Sequence, residues 1–182
     1  MKRAFVYIIA AVLGFTNMGL ALGDEGSRRD RNESGSQMRL DVARIAHGHR
    51  WRSRTRMLLH EVRLHEPVAS RDFPDGFGGL QLLFDVDDDP RDERAIRFFI
   101  NPDGRPTALL YKGGPRTLGF VNWWRPDKHT VKIEFPKSLL GKGIAEYRWR
   151  VLAAQSAPCD PNPPGMYVDG CVDGTRWLVH KL

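Results

Sequence analysis

Val131-Lys132-Ile133-Glu134-Phe135 alternates apolar and charged side chains at every position. Because neighbouring side chains of a β-strand point to opposite faces of its sheet, this alternation predicts a half-buried strand. Val131, Ile133 and Phe135 then face the inside, whereas Lys132 and Glu134 point to the outer face. A sheet with one buried and one solvated face is typical of antiparallel structure. This short stretch therefore indicates an all-β protein.

The same pattern recurs along the chain, interrupted by turn sequences such as Asn101-Pro102-Asp103-Gly104 and Gly113-Gly114-Pro115. It predicts further strands at 40–46, 57–64, 80–86, 95–100, 107–112, 118–124, 147–153 and 177–180. About nine short strands at this spacing predict a single antiparallel β-sandwich. The one helical candidate is 136–140, a single turn ended by Gly141.

The first residues are typical of a secretory signal peptide. Lys2 and Arg3 precede an apolar run, and Ala21 and Gly23 are the small pair before the predicted cleavage site. The apolar run is shorter than the roughly 20 residues that a membrane-spanning helix needs, so we expect no membrane span in the mature protein. We predict a secreted or periplasmic bacterial protein. Its parts are a signal peptide, 1–23, a disordered polar linker, 24–37, and a β-sandwich domain, 38–182.

Charge argues against one class of function. The chain has 28 basic and 22 acidic residues, and removal of Lys2 and Arg3 with the signal peptide lowers the formal charge from +6 to +4. This mildly basic balance comes without zinc-finger spacing or an RNA-recognition signature. We therefore expect no specific nucleic-acid partner, and we interpret the basic surplus as a solvated surface.

Two cysteines, Cys159 and Cys171, flank a segment rich in proline and glycine. In an exported chain such a pair predicts a disulfide. Closing a loop of this size would contribute about 3 kcal/mol in the chain-entropy model. A free reactive thiol or a metal-binding pair is the alternative. The disulfide would hold a long loop, and long loops usually serve a function, so we interpret this loop as the rim of a binding site that includes Tyr167.

Six carboxylates are clustered near the end of the predicted strand 80–86: Asp85, Asp87, Asp88, Asp89, Asp92 and Glu93. Carboxylates at this density repel one another unless a cation or solvent screens them, and calcium prefers oxygen ligands. The sixth and twelfth positions of the loop are proline and isoleucine, not the glycine and glutamate of an EF-hand. One interpretation is a calcium site whose ligands are Asp85, Asp87, Asp89 and Glu93. The other is a solvated turn in which Arg91 and Arg94 neutralise the carboxylates.

Histidines are concentrated in the first predicted strands. His47 and His49 share one strand face, and His60 is a cross-strand candidate for a third transition-metal ligand. The segment 60–65 does not match the zinc-protease signature, because its histidines are five positions apart rather than four. The alternative interpretation places these histidines as polar side chains on exposed strand faces.

Aromatic residues supply the predicted binding surface, because rigid rings give a large contact area at small entropic cost. Trp123 and Trp124 are adjacent, so a strand turns one inward and exposes the other. Tyr147 and Trp149 alternate with arginines and are predicted in the core. No Gly-x-Ser-x-Gly motif is present, and no catalytic residue is predicted. The predicted ligand-binding residues are Trp123, Trp124, Tyr111 and Tyr167.

Four segments together resemble a known group of proteins. They are Leu40-Asp41-Val42-Ala43-Arg44, Leu83-Phe84-Asp85-Val86-Asp87, Val131-Lys132-Ile133-Glu134-Phe135-Pro136 and Tyr147-Arg148-Trp149-Arg150-Val151. The chain is similar to the secreted bacterial sandwich domains related to family 9 carbohydrate-binding modules and the DOMON-like group. This resemblance implies an antiparallel β-sandwich, often stabilised by calcium, that binds a ligand rather than catalysing a reaction.

We therefore expect a secreted, non-catalytic module for an extracellular ligand such as a glycan or cell-wall polymer, with calcium as its cofactor. The residues leave two other classes open. One is a small secreted hydrolase that uses carboxylates near the acidic turn, and the other is a structural or partner-binding protein of the cell envelope.

Overall fold

The computed structural model describes residues 27–29, 40–74, 79–87, 93–113, 116–155, 167–170 and 177–182. The predicted signal peptide, most of the predicted linker, Asp89 and Arg91 lie outside these residues. Cys159 and Cys171 also lie outside them, so their disulfide stays a prediction. In the part of the chain that is described, no helix is long and apolar enough to cross a membrane.

Twelve strands are formed by the described residues. In chain order they are β1 (Ser27–Arg29), β2 (Val42–Arg52), β3 (Thr55–Leu64), β4 (Gly79–Asp85), β5 (Arg94–Ile100), β6 (Pro106–Lys112), β7 (Arg116–Phe120), β8 (Asn122–Trp124), β9 (Thr130–Pro136), β10 (Glu146–Gln155), β11 (Tyr167–Gly170) and β12 (Leu178–Lys181). Two 3-10 turns, Ser70–Asp72 and Lys137–Leu139, complete the regular structure.

The strands form two sheets with antiparallel pairing throughout. Sheet A has the spatial order β1-β2-β3-β9-β8, and sheet B has the order β11-β10-β4-β5-β6-β7. Strand β12 also pairs with β10, along the half of its edge that β11 leaves free. The predicted all-β sandwich is therefore confirmed, and no α-helix occurs among the described residues.

The predicted strand 118–124 is in fact two strands of different sheets. The chain leaves sheet B after Phe120 and enters sheet A at Asn122. Val121, which is buried, lies at the crossing, and its N–H donates to the carbonyl of Ala108 at 3.1 Å. Hydrophobic alternation reports which face a side chain occupies but not to which sheet the strand belongs, so the sequence could not show this crossing.

Two short strands lie in segments that were predicted to be irregular. Ser27–Arg29, in the predicted disordered linker, pairs with β2, and Tyr167–Gly170, in the predicted long loop, pairs with β10. Backbone hydrogen bonds at a sheet edge require no apolar side chains, so the hydrophobic pattern does not reveal such strands. The predicted helical turn is the 3-10 turn Lys137–Leu139. Gly141 follows it with a φ of 137°, a conformation that favours glycine.

The hydrophobic core lies between the inner faces of the two sheets. Phe135 of sheet A and Phe84 of sheet B are fully buried, and their ring centroids are 5.7 Å apart. At another position between the sheets, Trp123 of sheet A meets Phe98 of sheet B at 5.1 Å. Trp149 of β10 is also fully buried, as predicted. Contacts of this kind join the sheets into one sandwich.

The alternation in β9 predicts unequal costs for two neighbouring substitutions. Ile133→Ala removes a fully buried side chain and should lower the free energy of unfolding by about 2–5 kcal/mol. Lys132→Ala removes a partly exposed ion pair, with Nζ 3.0 Å from Glu61 Oε2, and should cost at most about 1 kcal/mol. Urea denaturation measures both. Equal costs would contradict the assignment of inner and outer faces.

Candidate functional site

Trp123 and Trp124 point in opposite directions from β8, as predicted. Trp123 lies opposite the buried Ile133, and its ring packs edge-on against Phe98 in the core. Trp124 lies opposite Lys132 on the outer face of sheet A, where it is 38% exposed. Trp124 is therefore the member of the pair that a ligand can contact.

Tyr111 lies on the outer face of sheet B. The inward positions of β6 are occupied by Ala108 and Leu110, so Tyr111 faces outward. Its ring centroid is 5.7 Å from that of Phe99, and the guanidinium of Arg97 lies 5.8 Å from the same ring.

Phe120 of β7 extends this surface. It lies opposite Leu109, on the same face as Tyr111, and is 76% exposed. A guanidinium close to an aromatic face adds a favourable cation–π interaction. We call the set Arg97, Phe99, Tyr111 and Phe120 the aromatic face.

The four predicted ligand-binding residues do not form one surface. Trp123 is in the core, Trp124 is on sheet A and Tyr111 is on sheet B; the side chain of Tyr167 is outside the described part of the chain. Phe99 was not among the predicted ligand-binding residues, although the sequence indicates its exposure. Phe98 and Phe99 are adjacent in a strand, so one of them had to face outward, as in the tryptophan pair.

Three of the four predicted calcium ligands come together after β4. Asp85, Asp87 and Glu93 each offer a carboxylate oxygen, and these oxygens lie within 4.8 Å of one another. Calcium holds its oxygen ligands at about 2.3–2.6 Å, so ligands on opposite sides of the ion are about 5 Å apart. The spacing therefore suits a calcium ion. We call these three residues the acidic cluster.

Backbone N–H groups hold the acidic cluster in place. The N–H of Val86 donates to Glu93 Oε2 at 2.7 Å, and the N–H of Asp87 donates to Asp85 Oδ1 at 3.3 Å. The second Glu93 oxygen, Oε1, is buried and has no hydrogen-bond partner among the described residues. A buried acceptor without a partner costs about 1–3 kcal/mol, and a proton or a cation would remove that cost.

Arg148, and not Arg94, neutralises part of the acidic cluster. Arg148 lies opposite Asp85 in the sheet and donates to Asp85 Oδ2 from Nε at 2.9 Å and from Nη2. Arg94 instead donates to the backbone carbonyl of Glu93 at 2.9 Å. The prediction for Arg94 is wrong because Arg94 lies opposite Phe84, an inward position, whereas Asp85 takes the next, outward position.

The electrostatic environment of Glu93 reflects crowded negative charge. The pKa of Glu93 is raised from 4.5 to about 7, and burial is the largest cause. A hydrogen bond that the protonated Glu93 carboxyl donates to Asp87 and the negative charges of Asp87 and Asp85 contribute to this rise in pKa, whereas the N–H of Val86 opposes it. Carboxylates held this close favour a shared proton or a bound cation. The cluster is therefore suited to exchange a proton for a metal ion.

A cavity of about 360 Å³ opens beside the acidic cluster, lined by residues 85–87 and 142–148. Because Asp85 and Asp87 are part of its wall, an ion bound there would be reachable by a ligand group from the cavity. Calcium takes six to eight oxygen ligands, more than three carboxylates supply in simple one-to-one contacts. Oxygen atoms of a second molecule could complete the shell.

His47 and His60 are buried, so the interpretation that places the histidines on exposed strand faces is wrong for these two, whereas His49 is half-buried. His47 and His60 are each 1% exposed and lie opposite each other on β2 and β3. Both face inward, toward Tyr147 and Trp149 of β10. Trp149 Nε1 donates to His47 Nδ1 at 2.9 Å, and the hydroxyl of Tyr147 lies 2.9 Å from His60 Nε2.

His180 of β12, which was not predicted, belongs with His47 and His60 to one group of buried histidines. It is 1% exposed, lies opposite Tyr147, and its ring stacks on that of His47 with centroids 4.1 Å apart. The sequence does indicate that His47 points inward, since it follows the apolar Ile45, which is buried, by two positions. The pairing of β12 with β10 joins residues far apart in sequence, and no local pattern reveals it.

Comparisons with known proteins assign no family to the chain. No family model matches it, and neither the curated proteins nor the solved structures contain a significant match. Its function must therefore be inferred from the geometry of its own residues.

The acidic cluster predicts stabilisation by calcium. At a calcium concentration about 100 times the dissociation constant, the free energy of unfolding should increase by about 2.7 kcal/mol, which raises the melting temperature by several degrees relative to the protein in a chelator. Asp87→Asn should remove this increase. Asp103→Asn, the same substitution at an exposed turn, should keep it. An identical melting temperature with calcium and with chelator would show that the acidic cluster does not bind calcium.

Glu93 predicts how calcium binding and stability depend on pH. Its pKa is higher in the folded protein, about 7, than its ordinary value of 4.5, so the metal-free fold should lose stability as pH rises between these two values. Calcium must displace the proton from Glu93, so calcium affinity should increase with pH over the same interval. Titration calorimetry in buffers of different ionisation enthalpy measures the released proton. In Glu93→Gln, stability and calcium affinity should both depend less on pH. A calcium affinity of the wild-type protein that does not change with pH would contradict the release of a proton from Glu93.

Proposed function

We propose that the mature chain is an exported, non-catalytic module that binds a glycan or cell-wall polymer on the aromatic face and calcium at the acidic cluster. The observation that carries the proposal is the aromatic face itself. Its rings lie on the exposed side of an antiparallel sheet, where no described element covers Phe120. Exposed apolar groups collected on one surface commonly mark a binding site.

The chemistry of the aromatic face suits a polymer that is both apolar and hydroxylated. Flat rings such as Tyr111 and Phe99 can stack on the C–H faces of sugar rings, and the tyrosine hydroxyl and the guanidinium of Arg97 supply hydrogen bonds. An open sheet face, unlike a closed cleft, allows an extended chain to pass across it. A surface of this kind favours binding over catalysis.

Calcium would act at the end of β4 and the beginning of β5, in the same sheet. Glu93 immediately precedes β5, and Ala95, two positions later, lies opposite Tyr111. Two residues of extended strand span about 7 Å, so the acidic cluster and the aromatic face are neighbours. A bound ion would fix the turn before β5 and support the position of the aromatic face. Oxygen atoms of the polymer could also enter its coordination shell.

The acidic cluster also gives a second candidate function, a small secreted hydrolase. Its support is the raised pKa of Glu93 beside a cavity, because a carboxyl that titrates near neutral pH suits general acid–base catalysis. Turnover of polysaccharide or ester substrates that is lost in Asp87→Asn, with folding retained, would favour this candidate over the binding module.

The binding proposal predicts the effect of removing single rings. Tyr111→Ala and Phe120→Ala should each weaken retention on an insoluble polymer, tested with cellulose, chitin, xylan and peptidoglycan. An aromatic contact contributes about 0.5–1.5 kcal/mol, so affinity should fall roughly two- to tenfold in each variant. The affinity of the double variant should fall further, and Phe120→Ala alone should leave the melting temperature unchanged, since Phe120 is 76% exposed.

Trp124→Ala is the matched control, because Trp124 is an exposed aromatic residue on the outer face of the other sheet. It should leave retention on the polymer unchanged. If Trp124→Ala loses retention and the Tyr111 and Phe120 variants keep it, the binding site is on sheet A instead. Absence of retention on all four polymers would overturn the proposal.

A further inference from the structure

A second cavity, of about 490 Å³, lies where β2 of sheet A faces β12 of sheet B. The described residues that line it are His47, His49, Val179, His180, Lys181 and Leu182, and we call it the histidine pocket. Its volume is within the range of small-molecule sites. No carboxylate side chain is among these lining residues. Neither the aromatic face nor the acidic cluster contributes to it.

Donor-only neighbours determine which nitrogen carries the proton in two of these histidines. An indole N–H can only donate, so His47 Nδ1 accepts from Trp149 and its ring proton is on Nε2. A guanidinium can also only donate, so His49 Nε2 accepts from Arg56 at 3.0 Å and its proton is on Nδ1. His49 Nδ1 is buried and has no partner among the described residues. His49 therefore presents an unused N–H donor.

The third histidine is oriented by Tyr147. The tyrosine oxygen lies 2.6 Å from His180 Nδ1 and 2.9 Å from His60 Nε2. The shorter distance is typical of an O–H donor and the longer one of an N–H donor. Because a hydroxyl has one proton, we assign it to the shorter contact, so that Tyr147 donates to His180 and His60 donates to Tyr147. This places the His180 proton on Nε2, at the ring edge opposite Tyr147, where that nitrogen is buried and has no partner among the described residues.

The neutral form of His180 agrees with its surroundings. Burial, together with the nearby His47, His49 and Arg56, lowers the pKa of His180 from 6.5 to about 3. At neutral pH His180 is thus an uncharged N–H donor, 1% exposed. Leaving such a donor buried without an acceptor costs about 1–3 kcal/mol, and an acceptor from a bound molecule would remove this cost.

The same tautomers argue against a transition metal in the histidine pocket. A metal-ligating histidine donates its second N–H to a carboxylate or carbonyl and binds the metal through a lone pair. His47 and His49 have the reverse arrangement, since the second nitrogen of each accepts from a donor. Among the described residues, the acidic cluster is the one group of three or more whose ligand atoms are close enough for a metal.

We propose that the histidine pocket binds a small organic anion, whose carboxylate or phosphate oxygens accept the N–H groups of His49 and His180. Positive charge favours such a ligand, because the guanidinium of Arg56 is hydrogen-bonded to His49. Leu182, which also packs against the core, supplies an apolar part of the wall for its organic part. The proposal is independent of the polymer site, which lies on the outer face of sheet B.

Nuclear magnetic resonance of the full mature domain tests both the donors and the ligand. Long-range proton–nitrogen spectra should show protons on His47 Nε2, His49 Nδ1 and His180 Nε2. Acetate, benzoate, citrate and inorganic phosphate are then added separately, up to about 10 mM, where a site of millimolar affinity is largely occupied. At least one of them should shift the resonances of His49 and His180. A response to phosphate alone, or to carboxylates alone, identifies the anionic group.

Variants separate this site from nonspecific binding. His49→Ala removes the donor at a half-buried position and should weaken the best anion at least tenfold. His129→Ala, at a half-buried loop position outside the pocket, should leave its affinity unchanged. The Tyr111 and Phe120 variants should also bind the anion normally. Absence of any histidine shift with all four anions, or a His49 proton on Nε2, would overturn the proposal. Tight zinc binding that depends on His49 and His180 would overturn it as well.

Discussion

The packing of the two inner sheet faces is the constraint on which the other features depend. Phe84, Phe135 and Trp149 are fully buried between the sheets, and burial of side chains of this size contributes about 1.5–3 kcal/mol each. Since side chains alternate along a strand, every residue that packs inward fixes its neighbours outward. The aromatic face, the acidic cluster and the exposed Trp124 are all consequences of this one partition.

The sequence was sufficient to predict the class of fold and most strands. Alternation such as Val131-Lys132-Ile133-Glu134-Phe135 is a local property, and β9 spans the predicted segment with one more residue at each end. The sheet change at Val121 and the pairing of Arg148 with Asp85 were not predictable in this way. Both depend on which strands become neighbours, and this is decided by packing between residues distant in sequence.

The sequence predicts which candidate residues come together where they are close in sequence, but not where the pairing of the sheets assembles them. Asp85, Asp87 and Glu93 belong to one hairpin, and the structure brings them together. Tyr111 and Trp124 are also close in sequence, but the crossing between sheets places them on opposite faces of the sandwich. The histidine pocket combines β2 with β12, strands more than a hundred positions apart, and only the tertiary structure reveals it.

Hydrogen–deuterium exchange, measured with and without the polymer that retains the protein, shows whether sheet B carries the binding surface. In the presence of calcium and polymer, exchange should slow in peptides that cover β5, β6 and β7, the strands of the aromatic face. Peptides that cover β8 and β9 should exchange at the same rate in both samples. Slower exchange confined to β8 and β9, or equal exchange in every peptide, would contradict a binding surface on sheet B.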